Sequence, residues 1–334
     1  MKGTEMGKKK MSGLSSTSNS DAIGTSPEDP DSCSKDNKQS EPTKIVPWHI
    51  FLQGAQDNDI RDRFNSDITK LLQQQEELNR YCCLALLEPE DSISTYELDQ
   101  IYRALVELDP NHDRDILLML LSRGGSIEPA YQISKLCKSF SKSRFVVAVP
   151  RQAKSAATLI ALGADEIHIG PLGQLGPIDP QLGGLPALGV TQALETIASL
   201  SEKHPGSADM FARYLRMALT VEQIGYCDRI SESAIQYAVR LLSTKPFLAD
   251  RIPKIAKELV HEYKDHGFVI DLIEAQQHLG SDWVKTDTSE LKMAESIYNL
   301  FDKVNLFLGV YQSKRMLVLG SVSNGVSIFS NQRS

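Results

Sequence analysis

Pro150-Arg-Gln-Ala-Lys-Ser155-Ala-Ala-Thr-Leu-Ile-Ala-Leu-Gly163-Ala-Asp165 is the stretch on which the fold turns. An apolar strand, Phe145-Val-Val-Ala-Val149, leads into it. A helix of small residues, Ser155 to Gly163, leads out of it, and Glu166-Ile-His-Ile169 follows as a short strand. About thirty residues upstream the pattern has a first copy. The run Ile116-Leu-Leu-Met-Leu-Leu121 ends at Ser122-Arg-Gly124-Gly125-Ser126, and a helix is expected from Glu128 to Phe140. Short continuous apolar runs bounded by turn residues read as strands buried on both faces. Strand, helix, strand, helix, strand in this order predicts an α/β fold with a parallel sheet and right-handed crossovers.

The two strand-to-helix turns carry different chemistry. Gly124 and Gly125 lack a Cβ, so their N–H groups are free to face a ligand. Ser155 offers a hydroxyl at a helix N-terminus, where the dipole and unpaired N–H groups favour developing negative charge. A serine hydroxyl becomes a nucleophile when a base takes its proton and donors hold the oxyanion. The plain alternatives are a helix cap at Ser155 and a simple turn at Gly124-Gly125.

Working outward, residues 1–44 are rich in Ser, Asp, Lys, Pro and Gly and poor in large apolar side chains. Such a segment buries too little surface to offset its chain entropy and is expected to be a disordered tail. The ordered domain is expected over residues 45–334. Residues Ile60 to Leu87 read as helix-like, with a Gln/Glu-rich stretch at Leu71–Asn79. Ser94-Thr-Tyr-Glu97 fits a capping box for a helix ending near Leu108. A Gly- and Pro-dense loop spans Gly170 to Pro186. Beyond it helices are expected at Gln192–Lys203, Ala208–Ile224, Glu232–Leu242, Asp250–Tyr263 and Asp271–Leu279, with Glu290–Leu308 closing the series.

Composition narrows the function. The chain has 334 residues, is 41% apolar and 24% charged, and carries a net charge of -7. It has no basic surplus to neutralise phosphates, which argues against nucleic acid as partner. No stretch approaches the roughly 18 apolar residues that span a bilayer. The basic N-terminus has no apolar core behind it, unlike a secretory signal. The five cysteines match no metal spacing and read as reduced thiols of a cytoplasmic protein. Gly173–Gly176 and Gly183-Gly184 do not form a dinucleotide-binding turn between strand and helix. The sequence has no P-loop and no H-E-x-x-H, so neither a cofactor nor a metal is expected.

Three segments together carry a family resemblance: Gly124-Gly-Ser-Ile-Glu-Pro-Ala130, Lys154-Ser-Ala-Ala-Thr-Leu-Ile-Ala-Leu-Gly-Ala-Asp-Glu-Ile167 and Leu175-Gly-Pro-Ile-Asp-Pro-Gln181. Over roughly residues 60 to 285 the chain resembles the Clp-fold serine proteinases, and within them the serine dehydrogenase proteinase family, related to signal peptide peptidase A. The third segment is the most specific to that branch. The first two are shared with the wider Clp and crotonase superfamily.

The resemblance implies a Clp/crotonase-like ββα superhelix with a helical C-terminal part. It implies a serine endopeptidase, independent of ATP, working on protein or peptide substrates as a homo-oligomer. Ser155 would be the nucleophile, with the N–H groups of Gly125 and Ala156 as the oxyanion hole and Gly124 shaping it. Gly176, Pro177, Ile178 and Asp179 would line the substrate groove, where Asp179 also fits a turn cap.

The base is left open by the same resemblance. Clp peptidases place a histidine at the end of the groove loop, and Leu175–Gln181 contains none. Relatives of signal peptide peptidase A use a lysine. His266, just before a segment similar to the helix that follows the third triad member in Clp peptidases, suits proton transfer near neutral pH. Lys203, beside His204, is the second candidate, and Lys154 is expected to point elsewhere. Two other classes remain in view. One is a crotonase-like acyl-CoA enzyme using the same oxyanion hole. The other is a scaffold that keeps the fold without catalysis.

Overall fold

Tyr81-Cys-Cys-Leu-Ala-Leu-Leu-Glu88 is a strand at the heart of the sheet, not the end of a helix. The computed structural model describes residues 46–182 and 185–331, so the expected tail over 1–44 lies outside the described residues. Helices α1 (Trp48–Phe51) and α2 (Asp57–Gln73) and a 3-10 turn, Glu76–Arg80, precede β1 (Tyr81–Glu88). The helical reading of Ile60–Leu87 is therefore corrected from Gln74 onward. Seven successive apolar or half-apolar residues satisfy a strand buried on both faces better than a helix with one wet side.

Then α3 (Thr95–Leu108), β2 (Asp115–Ser122), α4 (Ile127–Phe140) and β3 (Phe145–Val149) alternate. Ser94 and Glu97 make the expected reciprocal cap of α3. The two-residue β4 (Gln152–Ala153), α5 (Ala156–Leu162) and β5 (Glu166–Ile169) follow. The groove loop contributes β6 (Gln174–Leu175) and a small hairpin of β7 (Gln181–Leu182) and β8 (Leu185–Pro186).

Beyond it run α6 (Ala187–Lys203), α7 (Ala208–Ala218) and α8 (Val221–Leu242). The expected single helix Ala208–Ile224 breaks at Leu219-Thr220, because Thr220 and Gln223 form a reciprocal cap that starts α8 afresh. A 3-10 turn, Pro246–Arg251, leads into α9 (Ile252–Lys257), and a π turn, Glu258–Glu262, leads out of it. The chain ends with α10 (Leu272–Leu279), β9 (Val284–Lys285), α11 (Ser289–Gln312), β10 (Lys314–Ser321) and β11 (Val326–Ser330).

The C-terminal part is mostly helical, as expected, and the last two strands add to it and make the sheet mixed. Strands β1, β2, β3, β5 and β9 are parallel, whereas β10 pairs antiparallel with β1 and β11 with β10. Side chains alternate between two cores. Leu84, Leu86, Leu118, Leu120 and Val147 pack on the α3, α4, α5 and α8 side. Ala85, Leu87, Met119, Val146 and Ala148 pack against α2 and α11. The result is a three-layer α/β body with the ends of β1, β2 and β4 close together at one edge of the layer. Among the described residues no helix is long and apolar enough to cross a membrane, and Cys82, Cys83, Cys137 and Cys227 are free thiols.

Candidate active site

Ser155 stands between β4 and α5 with φ 52° and ψ -121°, a backbone conformation that non-glycine residues rarely adopt. It occupies the N-cap position, yet its side chain makes no capping hydrogen bond. Its hydroxyl therefore remains available for other work. The turn is held from both sides. Lys154 N–H donates to Ser122 O at 3.0 Å. Thr158 Oγ1, fully buried, lies 2.7 Å from Ala153 O and 2.8 Å from Gly176 O, and accepts Gly176 N–H at 3.1 Å. The Lys154 ammonium donates to the carbonyls of Gly267 (3.0 Å) and Phe268 (2.7 Å). Burial pulls its pKa below the ordinary lysine value, partly offset by Asp265.

The glycine turn meets this serine directly. Gly124 has φ 110°, and a Cβ there would sit 2.6 Å from Ser155 Cβ and 2.8 Å from Lys154 O. Gly125 has φ 152°, and its Cβ would fall 2.3 Å from Ile93 N. No side chain fits at either position. Ile93 clamps the turn: its N–H donates to Gly124 O at 2.9 Å, and its carbonyl accepts Ser126 N–H at 2.8 Å. Gly124 N–H is used internally, donating to Ser122 Oγ at 3.1 Å. Among the described residues the N–H groups of Gly125 and Ala156 have no backbone or side-chain acceptor. Both belong to the two turns that meet here, which is the arrangement an oxyanion hole needs.

His266 reaches this place through strand-like pairing. Leu175 and Ile270 exchange both backbone hydrogen bonds, 2.9 and 3.1 Å, as an antiparallel bridge. Beyond this single bridge the two segments run on to Asp179 and His266. Asp179 Oδ2 lies 3.7 Å from His266 Nδ1. Asp179 Oδ1 and His266 Nδ1 are both buried without a hydrogen-bond partner. Asp179 is 5% exposed, and Ile178 N–H anchors the loop by donating to Leu259 O at 2.8 Å. Ser155, Gly124, Gly125, Ile178 and His266 line one cleft of about 520 Å³, with Arg123, Tyr226 and Ile230 around its wall.

The expected residues thus divide. Ser155, the glycine turn, Ile178 and His266 share the cleft, and Asp179 sits behind His266. Gly176 and Pro177 are buried, with Gly176 packed against the Lys154 stem. Lys203 and His204 are exposed at the end of α6 and do not line the cleft. Asp179, which fitted a turn cap in the sequence, faces the imidazole instead. No local signal pairs two residues so far apart in the chain. Among the described residues no group of three or more His, Cys, Asp or Glu side chains has the arrangement to hold a metal ion.

The family model described as ClpP-like SDH-type serine proteinase matches residues 58–302. Two uncharacterized proteins of Methanocaldococcus jannaschii are similar in sequence. One is 32% identical over 137 residues, 41% of this chain and 46% of that protein. The other is 36% identical over 101 residues, 30% and 34% respectively. The chain spans less than half the length of these curated relatives. Among solved structures, a mutant of the 1510-N membrane-bound stomatin-specific protease matches at 18% identity, covering 64% of this chain and 83% of that one (TM-score 0.41). ClpP1 from Listeria monocytogenes matches at 14% identity, covering 66% of this chain and 99% of that one (TM-score 0.38).

Proposed function

The chain belongs to the ClpP-like SDH-type serine proteinase family, and from that premise we propose that it is an ATP-independent serine endopeptidase acting through an acyl-enzyme on Ser155. The carrying observation is the meeting of Ser155, the free N–H groups of Gly125 and Ala156, and His266 backed by Asp179 around one cleft.

Each group has a role. His266 takes the Ser155 hydroxyl proton as Oγ attacks the substrate carbonyl. The tetrahedral oxygen gains negative charge and is held by the Gly125 and Ala156 N–H groups. The imidazolium then gives its proton to the leaving amine, and the C–N bond breaks. Water, deprotonated by the same imidazole, hydrolyses the ester and frees Ser155. Asp179 orients His266 and stabilises the imidazolium. The 3.7 Å separation is longer than a hydrogen bond, and such contacts commonly shorten once substrate is bound. Lys203 has no part in this scheme. The substrate is protein or peptide, and the working form is a homo-oligomer located in the cytoplasm.

The test is labelling by a fluorophosphonate together with hydrolysis of an unstructured protein substrate. Wild type should label on Ser155 and cleave, and Ser155→Ala should do neither. Cleavage that survives Ser155→Ala overturns the reading. A wild type that neither labels nor cleaves marks a scaffold, and a thermal shift with acyl-CoA marks a crotonase-like enzyme.

A further inference from the structure

Behind the glycine turn lies a carboxyl group that the scheme above does not use. Glu88 is the last residue of β1, and in the parallel register it stands beside Ser122, the last residue of β2. Ser122 in turn pairs with Ala153. The Glu88 side chain is 0% exposed. Ser122 Oγ donates to Glu88 Oε1 at 3.3 Å and accepts Gly124 N–H at 3.1 Å. Glu88 Oε2 is buried with no hydrogen-bond partner. The Ser122 carbonyl also accepts the Lys154 N–H, next to Ser155. One serine therefore ties a buried carboxyl to both turns of the site.

We propose that Glu88 is a positioning residue of the hydrolase site, which through Ser122 sets the Gly124–Gly125 turn and the aim of its oxyanion-binding N–H. The inference rests on the serine hydrolase reading of that turn.

A carboxyl in this place does its work protonated. Among the described residues no lysine, arginine or histidine pairs with Glu88. The charged groups around it are Glu97 in the first turn of α3 and Asp91 in the loop after β1, and Asp91 is already paired with Arg315 of β10 at 2.8 Å. The Lys154 ammonium is committed to the Gly267 and Phe268 carbonyls. Burial first, then Glu97, push the Glu88 carboxyl up to about 8; the Ser122 hydrogen bond pulls it down in part, and Asp91 adds the smallest upward push. Above that pH an uncompensated negative charge appears behind the oxyanion hole. It opposes the charge the hole must stabilise and turns the Ser122 hydroxyl more firmly toward the carboxylate. The site is thus built to weaken at alkaline pH.

Two measurements on wild type and Glu88→Gln test this. The first follows the Gly124 and Gly125 amide resonances of glycine-labelled protein from pH 6 to pH 9.5. They should titrate near pH 8 in wild type and lose that titration in Glu88→Gln. The second follows kcat/KM over the same range. It should fall roughly fivefold between pH 8 and pH 9 in wild type, through kcat rather than KM, and hold level in Glu88→Gln. Glycine amides that do not titrate, or that titrate alike in both proteins, overturn the inference. Because the amide experiment needs no turnover, it fails separately from the hydrolase reading, which is sunk by an unlabelled Ser155. Ser122→Ala, which keeps Glu88 and cuts the link, should also abolish the glycine titration. Its persistence there counts against the relay.

Discussion

The two ends of the parallel sheet are made of similar residue types and treat them in opposite ways. Where the strands begin, charge is paired. Glu166 of β5 is held by Arg144 at 2.9 Å, Lys285 at 3.0 Å and His168 at 3.0 Å. Glu290 at the start of α11 accepts from the Tyr81 hydroxyl at 2.7 Å and from Arg80 at 3.1 Å, and Thr288 joins His168 Nδ1 at 2.8 Å. Burial alone would raise the Glu166 carboxyl, but His168, Lys285 and Arg144 outweigh it and bring it down to about 2. Where the strands end, among the described residues Glu88 has no cation partner, Asp179 Oδ1 and His266 Nδ1 have no hydrogen-bond partner, and Ser155 holds a positive-φ backbone. Satisfied polar groups stabilise, whereas unsatisfied and strained ones persist where something else needs them. The same chemistry therefore locks one end and leaves the other ready to react.

The difference is sharpest in variants that should uncouple rate from stability. At the reactive end, His266→Ala and Asp179→Asn should each lower kcat on the order of 10⁴-fold, with a melting temperature close to wild type. Lys203→Ala should leave both unchanged. Equal losses in Lys203→Ala and His266→Ala would move the base to α6. Gly124→Ala should cost roughly 10² to 10³ in kcat. It should also lose stability, since its Cβ would press on Ser155 Cβ and the Lys154 carbonyl.

At the locked end the order reverses. Arg144→Met leaves Glu166 and Glu290 short of a cation. Because Lys285, His168 and Arg80 remain, it should destabilise by about 1.5 to 3 kcal/mol in denaturant titrations, while fluorophosphonate labelling per folded molecule stays at the wild-type rate. Acid tests the same cluster. A carboxyl depressed in the folded state contributes stability that is present above its unfolded pKa and lost as pH falls through the folded value. For Glu166 that window runs from the ordinary value of 4.5 down to about 2. The loss should reach about 3 kcal/mol and shrink in Arg144→Met. An acid profile identical in the two proteins would remove the cluster's claimed part in stability.

The reactive end was more legible in the sequence than the locked one, and the reason is locality. The unit from Ile116 to Ile169 carries its own turn glycines and apolar runs, so β2, α4, β3, α5 and β5 fall where the pattern sets them. Ser155 and the glycine turn come with that unit. Strand β1 was hidden because Tyr81–Leu87 follows Gln- and Glu-rich residues without a turn signal. Strands β10 and β11 did have a signal in Asn324-Gly325, a hairpin dipeptide between apolar runs. Asp179 facing His266, Glu88 beside Ser122, and Arg144 reaching Tyr81 and Glu290 all join distant segments. Such pairings exist only once the register of the sheet and the groove loop is fixed, and no spacing in the chain announces them.

The smallest expected effect probes the strain itself. Ser155 at φ 52° and ψ -121° sits where a Cβ is poorly tolerated, and such a residue costs of order 1–3 kcal/mol. Ser155→Gly removes the Cβ as well as the hydroxyl, and Ser155→Ala removes only the hydroxyl. Both should be inactive. Glycine carries a larger entropy loss on folding, about 0.5–1 kcal/mol relative to alanine, which subtracts from the relief of strain. Ser155→Gly should therefore exceed Ser155→Ala in stability by only about 1 kcal/mol, read as a shift in denaturation midpoint at constant slope. If Ser155→Gly is the less stable of the two, the backbone at this turn is not strained, and the contrast between the two ends of the sheet rests on unpaired polar groups alone.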